Sequence, residues 1–289
     1  MSTSISQVKI AFIGAGSMAE AIFRGLIERE VANPDNLYVL NRSDQARMAE
    51  LRSQYGVNTT SDAKTREDYI RGADIVVVCM KPKDVETSFG DLQPLLNEKQ
   101  LLISVVAGLS IAKIEALLQT RMPIVRTMPN TSSTIGLGAT GMSFSSTVDD
   151  AYKQLATEMF ESIGIVSVIE ESKMEILTGV SGSGPAYVYY FMEAMIKAGI
   201  EGGLSEENAR ELTLQTVLGA AHMVKITQED PAVLRRKVTS PNGATQASIE
   251  ALDQYRFSEG IARAVTRSAE RSKEMGEQIA ARSTSFKSV

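Results

Sequence analysis

Two short stretches of this sequence carry residue types and spacings that can do chemistry. The first is Gly14-Ala15-Gly16-Ser17-Met18-Ala19, a G-x-G-x-x-A pattern that follows a short apolar run from Val8 to Ile13 and opens a helical stretch through Arg24 to Glu28. In that setting Gly14 permits a tight turn, Gly16 lets the backbone approach a pyrophosphate and Ala19 allows close helix-to-strand packing. The unpaired N–H groups of the helix start then face the anion. The chemistry is dinucleotide binding, and the plain alternative is a glycine-rich turn without a ligand. The second stretch, Val238-Thr239-Ser240-Pro241-Asn242-Gly243-Ala244-Thr245-Gln246-Ala247, lies between two helical runs. It is a turn of small residues that delivers Thr245 and several free N–H groups to a helix start, which suits a carboxylate. An ordinary Ser-Pro turn with Thr245 as a helix cap fits the same letters.

The elements that must position these stretches read in order as alternating strand and helix. Leu37 to Leu40 is a second strand, and it ends in Asn41-Arg42-Ser43 where a site for NAD usually places an acid for the ribose 2′-hydroxyl. Asn41 and Arg42 in its place point to a 2′-phosphate, unless Arg42 is a solvated loop charge. Arg47 and Arg52 follow in a polar helix and are expected at the surface. Ala73 to Met80 is a β-branched run fit for a strand buried on both faces, stopping at Lys81-Pro82. Ligands of open parallel sheets gather beyond the carboxyl ends of strands, so the Met80-Lys81-Pro82 loop is expected to border the cofactor. Leu101 to Val106 ends in Ala107-Gly108, small residues that suit close approach to a nicotinamide ring. Pro123 to Met128 ends in Pro129-Asn130-Thr131, and Asn130 is counted among the cofactor-binding residues. Helical spacing at Ile111, Ile114, Leu117 and Leu118 completes the alternation, and a strand near Ile165 to Ile169 closes this part.

From about Glu170 the pattern becomes helical. Pro185 can start a helix, Ser205 can cap the next with Glu206 and Glu207 in its first turn, and Asp230-Pro231 is another start signal. The last helix spans roughly Glu259 to Ala280. The expected fold class is therefore α/β: a Rossmann-type, mostly parallel sheet in residues 1–169, then an all-helical part in residues 170–289. That second part is apolar on more faces than a lone helical layer covers. With small residues at Gly182, Gly184, Gly219 and Ala220 for close helix approach, it predicts a homo-oligomer built from dimers.

The 289 residues suffice for two domains and ample core. A formal net charge of −5 with both signs interspersed argues against nucleic acid as a partner. One cysteine and one histidine leave no recognisable metal cluster, and Cys79 and His222 read as structural residues. A single cysteine, no apolar run long enough for a membrane and no signal-like start predict a cytoplasmic protein.

Six stretches, GAGSMAEAI, the Lys81-Pro82 pair, SVVAGLS, RTMPNTS, VSGSGPAYVY and VTSPNGATQAS, together resemble the pyrroline-5-carboxylate reductase family in order and spacing over nearly the full chain. Asn242 departs from the family, which usually carries a second glycine there. The resemblance implies a Rossmann domain, then a helical dimerisation domain that interlocks with a second subunit. It implies hydride transfer from NADPH, with NADH the weaker alternative, to the C=N bond of 1-pyrroline-5-carboxylate, giving L-proline. It assigns Ile13, Gly14, Ala15, Gly16, Ser17, Met18, Arg42, Ser43, Cys79, Met80, Lys81, Pro82, Val105, Val106 and Ala107 to the cofactor. Ser240, Gly243, Ala244 and Thr245 go to the substrate, with Thr245 on the ring nitrogen and Glu171 lining the pocket.

Three other readings are weighed. The β-hydroxyacid dehydrogenase group needs a lysine in a G-x-x-x-K pattern, and Gly184 is followed at that spacing by Val188. An imine reductase acting on another cyclic imine shares every motif. A non-catalytic NADP-binding regulator needs only the first domain and leaves the small-residue motifs of the second half without a use.

Overall fold

The computed structural model describes residues 5–285. The strands are β1 (Ile10–Ile13), β2 (Leu37–Leu40), β3 (Asn58–Thr60), β4 (Ile75–Val78), β5 (Leu101–Ser104), β6 (Ile124–Met128), β7 (Gly138–Phe144) and β8 (Gly164–Val168). The helices are α1 (Ser17–Glu28), α2 (Gln45–Tyr55), α3 (Ala63–Gly72), α4 (Val85–Leu92), α5 (Ile111–Leu118), α6 (Asp150–Glu161), α7 (Met174–Leu177), α8 (Gly184–Glu201), α9 (Glu206–Thr227), α10 (Pro231–Lys237), α11 (Ala244–Gln254) and α12 (Phe257–Ser285).

The strands form one eight-stranded sheet in the order β3-β2-β1-β4-β5-β6-β7-β8. Neighbours are parallel except β6 and β7, which run antiparallel. The expected strands are all present: β2 has its expected bounds, β8 begins and ends one residue earlier, and the others are trimmed at their ends. Two were not anticipated. β3, Asn-Thr-Thr, is three polar letters at the sheet edge, and β7, Gly-Ala-Thr-Gly-Met-Ser-Phe, lacks the β-branched run that marks the others.

The central strands β1 and β4 are apolar at every position, and β5 at all but Ser104, because both faces are covered. Ile10 and Phe12 of β1, Ile75 and Val77 of β4, and Leu101 and Ile103 of β5 join the core under α1 and α6. Ala11 and Ile13, Val76 and Val78, and Leu102 face the other core, with α3, α4 and α5. Burying a side chain of this size contributes about 1.5–3 kcal/mol, so these strands fix the carboxyl-end edge on which the functional loops stand.

Contacts divide the chain into two compact units, one of them Ser183–Thr266 and the other the chain before and after it. The segment from 170 to 182 and the later part of α12 thus pack with the sheet, whereas the sequence pattern changes at 169/170. Packing explains the difference: Met174 and Thr178 are buried in the first unit, and Gly108 and Gly276 cross so closely that a Cβ on Gly276 would lie 2.3 Å from the Gly108 carbonyl oxygen.

The second unit is helical throughout. α8 starts with a proline in its first turn, Ser205 caps α9 by accepting the Asn208 N–H, and Asp230 caps α10 by accepting that of Ala232. α8 buries none of its residues, and Tyr189, Tyr190, Leu212, Leu214 and Met223 are exposed. Among the described residues no helix is long and apolar enough to cross a membrane.

Candidate functional site

In the sheet order β1 lies between β2 and β4, the position at which connections diverge to either side and leave a crevice beyond the strand ends. A cavity of about 600 Å³ occupies this place, lined by the Ile13–Ala19 loop, the β2 end and the β4 end. Gly14 has φ +119°, and a Cβ there would lie 2.5 Å from the Cys79 carbonyl oxygen, so only glycine makes this turn. Gly16 caps α1 without any side-chain bond, and a Cβ on it would meet nothing within 4 Å. Its open space belongs to the cavity, and the first-turn amides of α1 are there for an anion.

The electrostatics of the cavity favour an anionic occupant. Arg42, Arg66, Lys81 and Lys83 line it against Asp84 and Asp91. Arg42 is engaged: its Nη2 donates to Asp91 at 2.9 Å and to Ser88 at 3.1 Å, both on α4. The Arg66 Nε is shielded from solvent and has no hydrogen-bond partner among the described residues. Such an orphaned donor costs free energy unless an acceptor arrives. An open cradle at Gly16 with the unpaired Arg66 donor on the same cavity wall fits a dinucleotide carrying an additional phosphate. Arg66, Ser88 and Asp91 were not anticipated, because α3 and α4 show no motif and only the topology brings them to the β2 end; Lys83 follows the Met80-Lys81-Pro82 loop directly.

The glycine loop has an anchor that the sequence also hid. Arg47, expected at the surface, is half-buried; its Nε donates to the Ala15 carbonyl at 3.4 Å and its guanidinium pairs with Glu20 and, at 2.8 Å, with Glu50. Tyr55 donates to the other Glu20 oxygen at 2.7 Å. Burial alone pushes the Glu20 carboxyl up, but the hydrogen bonds from Tyr55 and Arg47 outweigh it and hold the group below the usual carboxylate range. Arg52 is exposed, as expected, and reaches the Thr59 carbonyl.

Of the residues expected at the cofactor, Ile13, Gly14, Ala15, Gly16, Ser17, Met18, Asn41, Arg42, Cys79, Met80, Lys81 and Val105 line the cavity. Asn41 shapes the β2 end by accepting the Ser43 and Asp44 amides. Ser43, Pro82, Val106, Ala107 and Asn130 stand outside the lining. Val106 is buried in the core, and Asn130 uses both ends of its amide, donating to the Ser181 carbonyl at 3.0 Å and accepting the Ala139 N–H at 3.2 Å. Gly108, with φ +75°, is required by the close passage of α12: a Cβ there would lie 2.8 Å from the Ser272 carbonyl oxygen. Burial pushes the Cys79 thiol above its usual range, away from thiolate chemistry. Glu171, expected to line the substrate pocket, pairs with the buried Arg126 at 3.1 Å and accepts the Ile111 N–H at 2.7 Å.

In the second unit the Ser240–Thr245 turn is exposed at the start of α11. The N-cap is Gly243, with no side-chain cap, so Thr245 stands inside the first turn and is not the cap that one reading of the sequence made it. Gly243 donates its N–H to the Ser240 carbonyl at 3.1 Å, and a Cβ on it would lie 2.5 Å from the Ser240 Oγ. The first-turn amides of Ala244 and Thr245 are left for an anion among the described residues. Asn242 takes φ +57° and donates its N–H to Gln246 at 2.8 Å. Asparagine tolerates that left-handed conformation better than most residues, so it can hold the backbone that a glycine would.

Comparison with known proteins follows the same lines. Residues 171–275 match the family model for pyrroline-5-carboxylate reductase dimerisation, and residues 9–108 match that for NADP oxidoreductase, coenzyme F420-dependent. Pyrroline-5-carboxylate reductase 1 of Bacillus spizizenii is 42% identical over 273 residues, 94% of this chain and 91% of the relative. The structure of a pyrroline-5-carboxylate reductase from Coxiella burnetii superposes with TM-score 0.85 at 38% identity, covering 93% of this chain and 98% of that one. That of Plasmodium falciparum pyrroline carboxylate reductase with NADP bound gives TM-score 0.84 at 32% identity, covering 94% and 99%.

Proposed function

The chain belongs to the pyrroline-5-carboxylate reductase family, and we propose that it reduces 1-pyrroline-5-carboxylate to L-proline with NADPH. The observation that carries this reading is that the likeness extends over 273 residues, 94% of the chain, while the two family models match residues 9–108 and 171–275, the ranges that hold the glycine loop and the Ser240–Thr245 turn. NADPH supplies a hydride for the ring C=N bond.

The chain's own residues do the rest. The first-turn amides of α1 and the open side of Gly16 receive the pyrophosphate, and the 2′-phosphate goes to the end of the cavity where Arg42, beside Asn41, and Arg66 stand. Arg47 holds the loop through the Ala15 carbonyl. The Ala244 and Thr245 amides bind the substrate carboxylate, Ser240 and Gly243 shape the turn, and the Thr245 hydroxyl orients the ring nitrogen and assists its proton. A protonated imine already accepts hydride well, so holding the reactants in place can supply roughly 7–11 kcal/mol at best without a strong acid or base. Glu171 and Asn130 act at one remove, by fixing the segments on which the site stands.

The chain forms a homo-oligomer, and dimers are its proposed building block, with the helices after 170 as the interface. Its working compartment is the reducing cytoplasm, in which the single Cys79 stays a thiol. The function is tested by NADPH oxidation with pyrroline-5-carboxylate against a panel of other cyclic imines and 2-keto acids. Preference for pyrroline-5-carboxylate is expected; preference for another imine reassigns the substrate, and no turnover with any of them leaves only a binding protein.

A further inference from the structure

The two guanidinium groups at the adenosine end of the cavity are not equivalent. Arg42 already has an anion: Asp91 accepts from it at 2.9 Å, and Ser88 takes a second contact at 3.1 Å from the same nitrogen. A 2′-phosphate arriving at Arg42 must displace or share with that carboxylate, which also repels it. Arg66 comes from the first turn of α3 on the same cavity wall, and its Nε is hidden from water with no acceptor among the described residues. A buried, unpaired guanidinium N–H gains the most from a new anionic acceptor, since it has no bond to give up.

We propose that Asp91 competes with the cofactor's 2′-phosphate for Arg42, so that Arg66 carries most of this chain's preference for NADPH over NADH. The inference rests on the reading of this cavity as the nicotinamide cofactor's site. It divides labour among residues on three separate elements, the β2 end, α3 and α4.

The test is calorimetric titration of the purified full-length protein, without substrate, with NADPH, NADH, 2′,5′-ADP and 5′-AMP; the chain has no tryptophan to report binding by fluorescence. Arg66→Met keeps the aliphatic stem and removes the charge. It is expected to weaken NADPH and 2′,5′-ADP about ten- to a hundredfold relative to NADH and 5′-AMP, the range of one charge-assisted hydrogen bond. Arg66→Lys should recover part of this. Asp91→Asn should move the ratio the other way, strengthening the phosphorylated ligands relative to the others, a gain that misfolding cannot imitate. The proposal is overturned if Arg66→Met weakens all four ligands equally or none of them, or if Asp91→Asn leaves the ratio unchanged. These outcomes leave NADPH binding by the unaltered protein intact. If that protein binds neither dinucleotide, the reading of the cavity fails and the proposal with it.

Discussion

Arg126, only 4% exposed in β6, donates from Nη1 to the Glu171 carboxylate at 3.1 Å, and the same Glu171 oxygen accepts the first amide of α5, that of Ile111, at 2.7 Å. Its Nη2 meets Glu175 at 2.8 Å. One buried cation thus ties a central strand to the segment after residue 170 and to the start of a helix. Glu171 is a brace between elements.

The asymmetry of burial gives the first prediction. Both carboxylates are partly exposed and can be hydrated if Arg126 is removed, whereas Arg126 cannot. Glu171→Ala with Glu175→Ala should cost about 3–5 kcal/mol, as expected for an uncompensated buried charge. Arg126→Met should cost clearly less, and Glu171→Ala alone about 1–3 kcal/mol because Glu175 remains. Urea midpoints order the variants, and a double carboxylate variant no worse than Arg126→Met rejects the brace.

A second prediction separates two glycines of one motif. Gly14→Ala forces a Cβ against the Cys79 carbonyl at a positive φ, so stability should fall by about 1–3 kcal/mol. Gly16→Ala meets no atom of the chain, so the melting curve should hardly move while NADPH affinity drops, because the added methyl fills the cradle. Equal NADPH binding in Gly16→Ala and wild type removes Gly16 from the cofactor site.

That contrast shows what was legible in the letters. The glycine loop, the strands other than β3 and β7 and the helix caps follow from local chemistry: φ requirements, apolar runs rich in β-branched residues and side chains that bond the next amides. The residues missed are those whose role depends on distant partners. Arg47 reads as one more charge in a polar helix until α2 lies beside the loop, and Arg66 has no motif at all. Asn130 and Gly108 stand at strand ends where ligand contact is the default expectation, yet the Ser181 carbonyl and the Gly276 backbone claim them. β7 was invisible because its glycines and small polar residues pack under Leu177, whose side chain leaves no room for a Cβ on Gly141.

The third prediction concerns Arg42. Arg42→Asp replaces the cation that Asp91 holds by a carboxylate at the β2 end and should shift the NADPH-to-NADH ratio of kcat/KM toward NADH, by a smaller factor than Arg66→Met. An unchanged ratio makes Arg42 a surface charge whose bond to Asp91 is incidental.

The fourth follows from the helices. α8 buries nothing within its own chain, and Tyr190 on it is 75% exposed. Light scattering at low micromolar concentration should show a dimer or a multiple of one, and Tyr190→Arg should weaken association. A stable, active monomer rejects the helical interface.

The last prediction concerns Thr245, for which two roles are in competition: capping a helix and orienting a substrate nitrogen. Loss of a cap costs about 0.5–2 kcal/mol of stability, but Gly243 holds the cap position in α11 and Thr245 is exposed inside the first turn. Thr245→Ala should therefore leave the melting temperature nearly unchanged, which already separates the roles. If the hydroxyl bonds the ring nitrogen as hydride arrives, Thr245→Ala should lower kcat by about one to two orders of magnitude, the loss of an interaction made in the transition state. NADPH affinity should not change, and Thr245→Ser should recover much of the rate, since it keeps the oxygen and loses only a methyl. The discriminating measurement is single-turnover hydride transfer at saturating NADPH and substrate, which removes binding and product release from the comparison. A wild-type rate in the Ala variant would leave the amides of Ala244 and Thr245 as this turn's contact with the carboxylate and place proton transfer elsewhere.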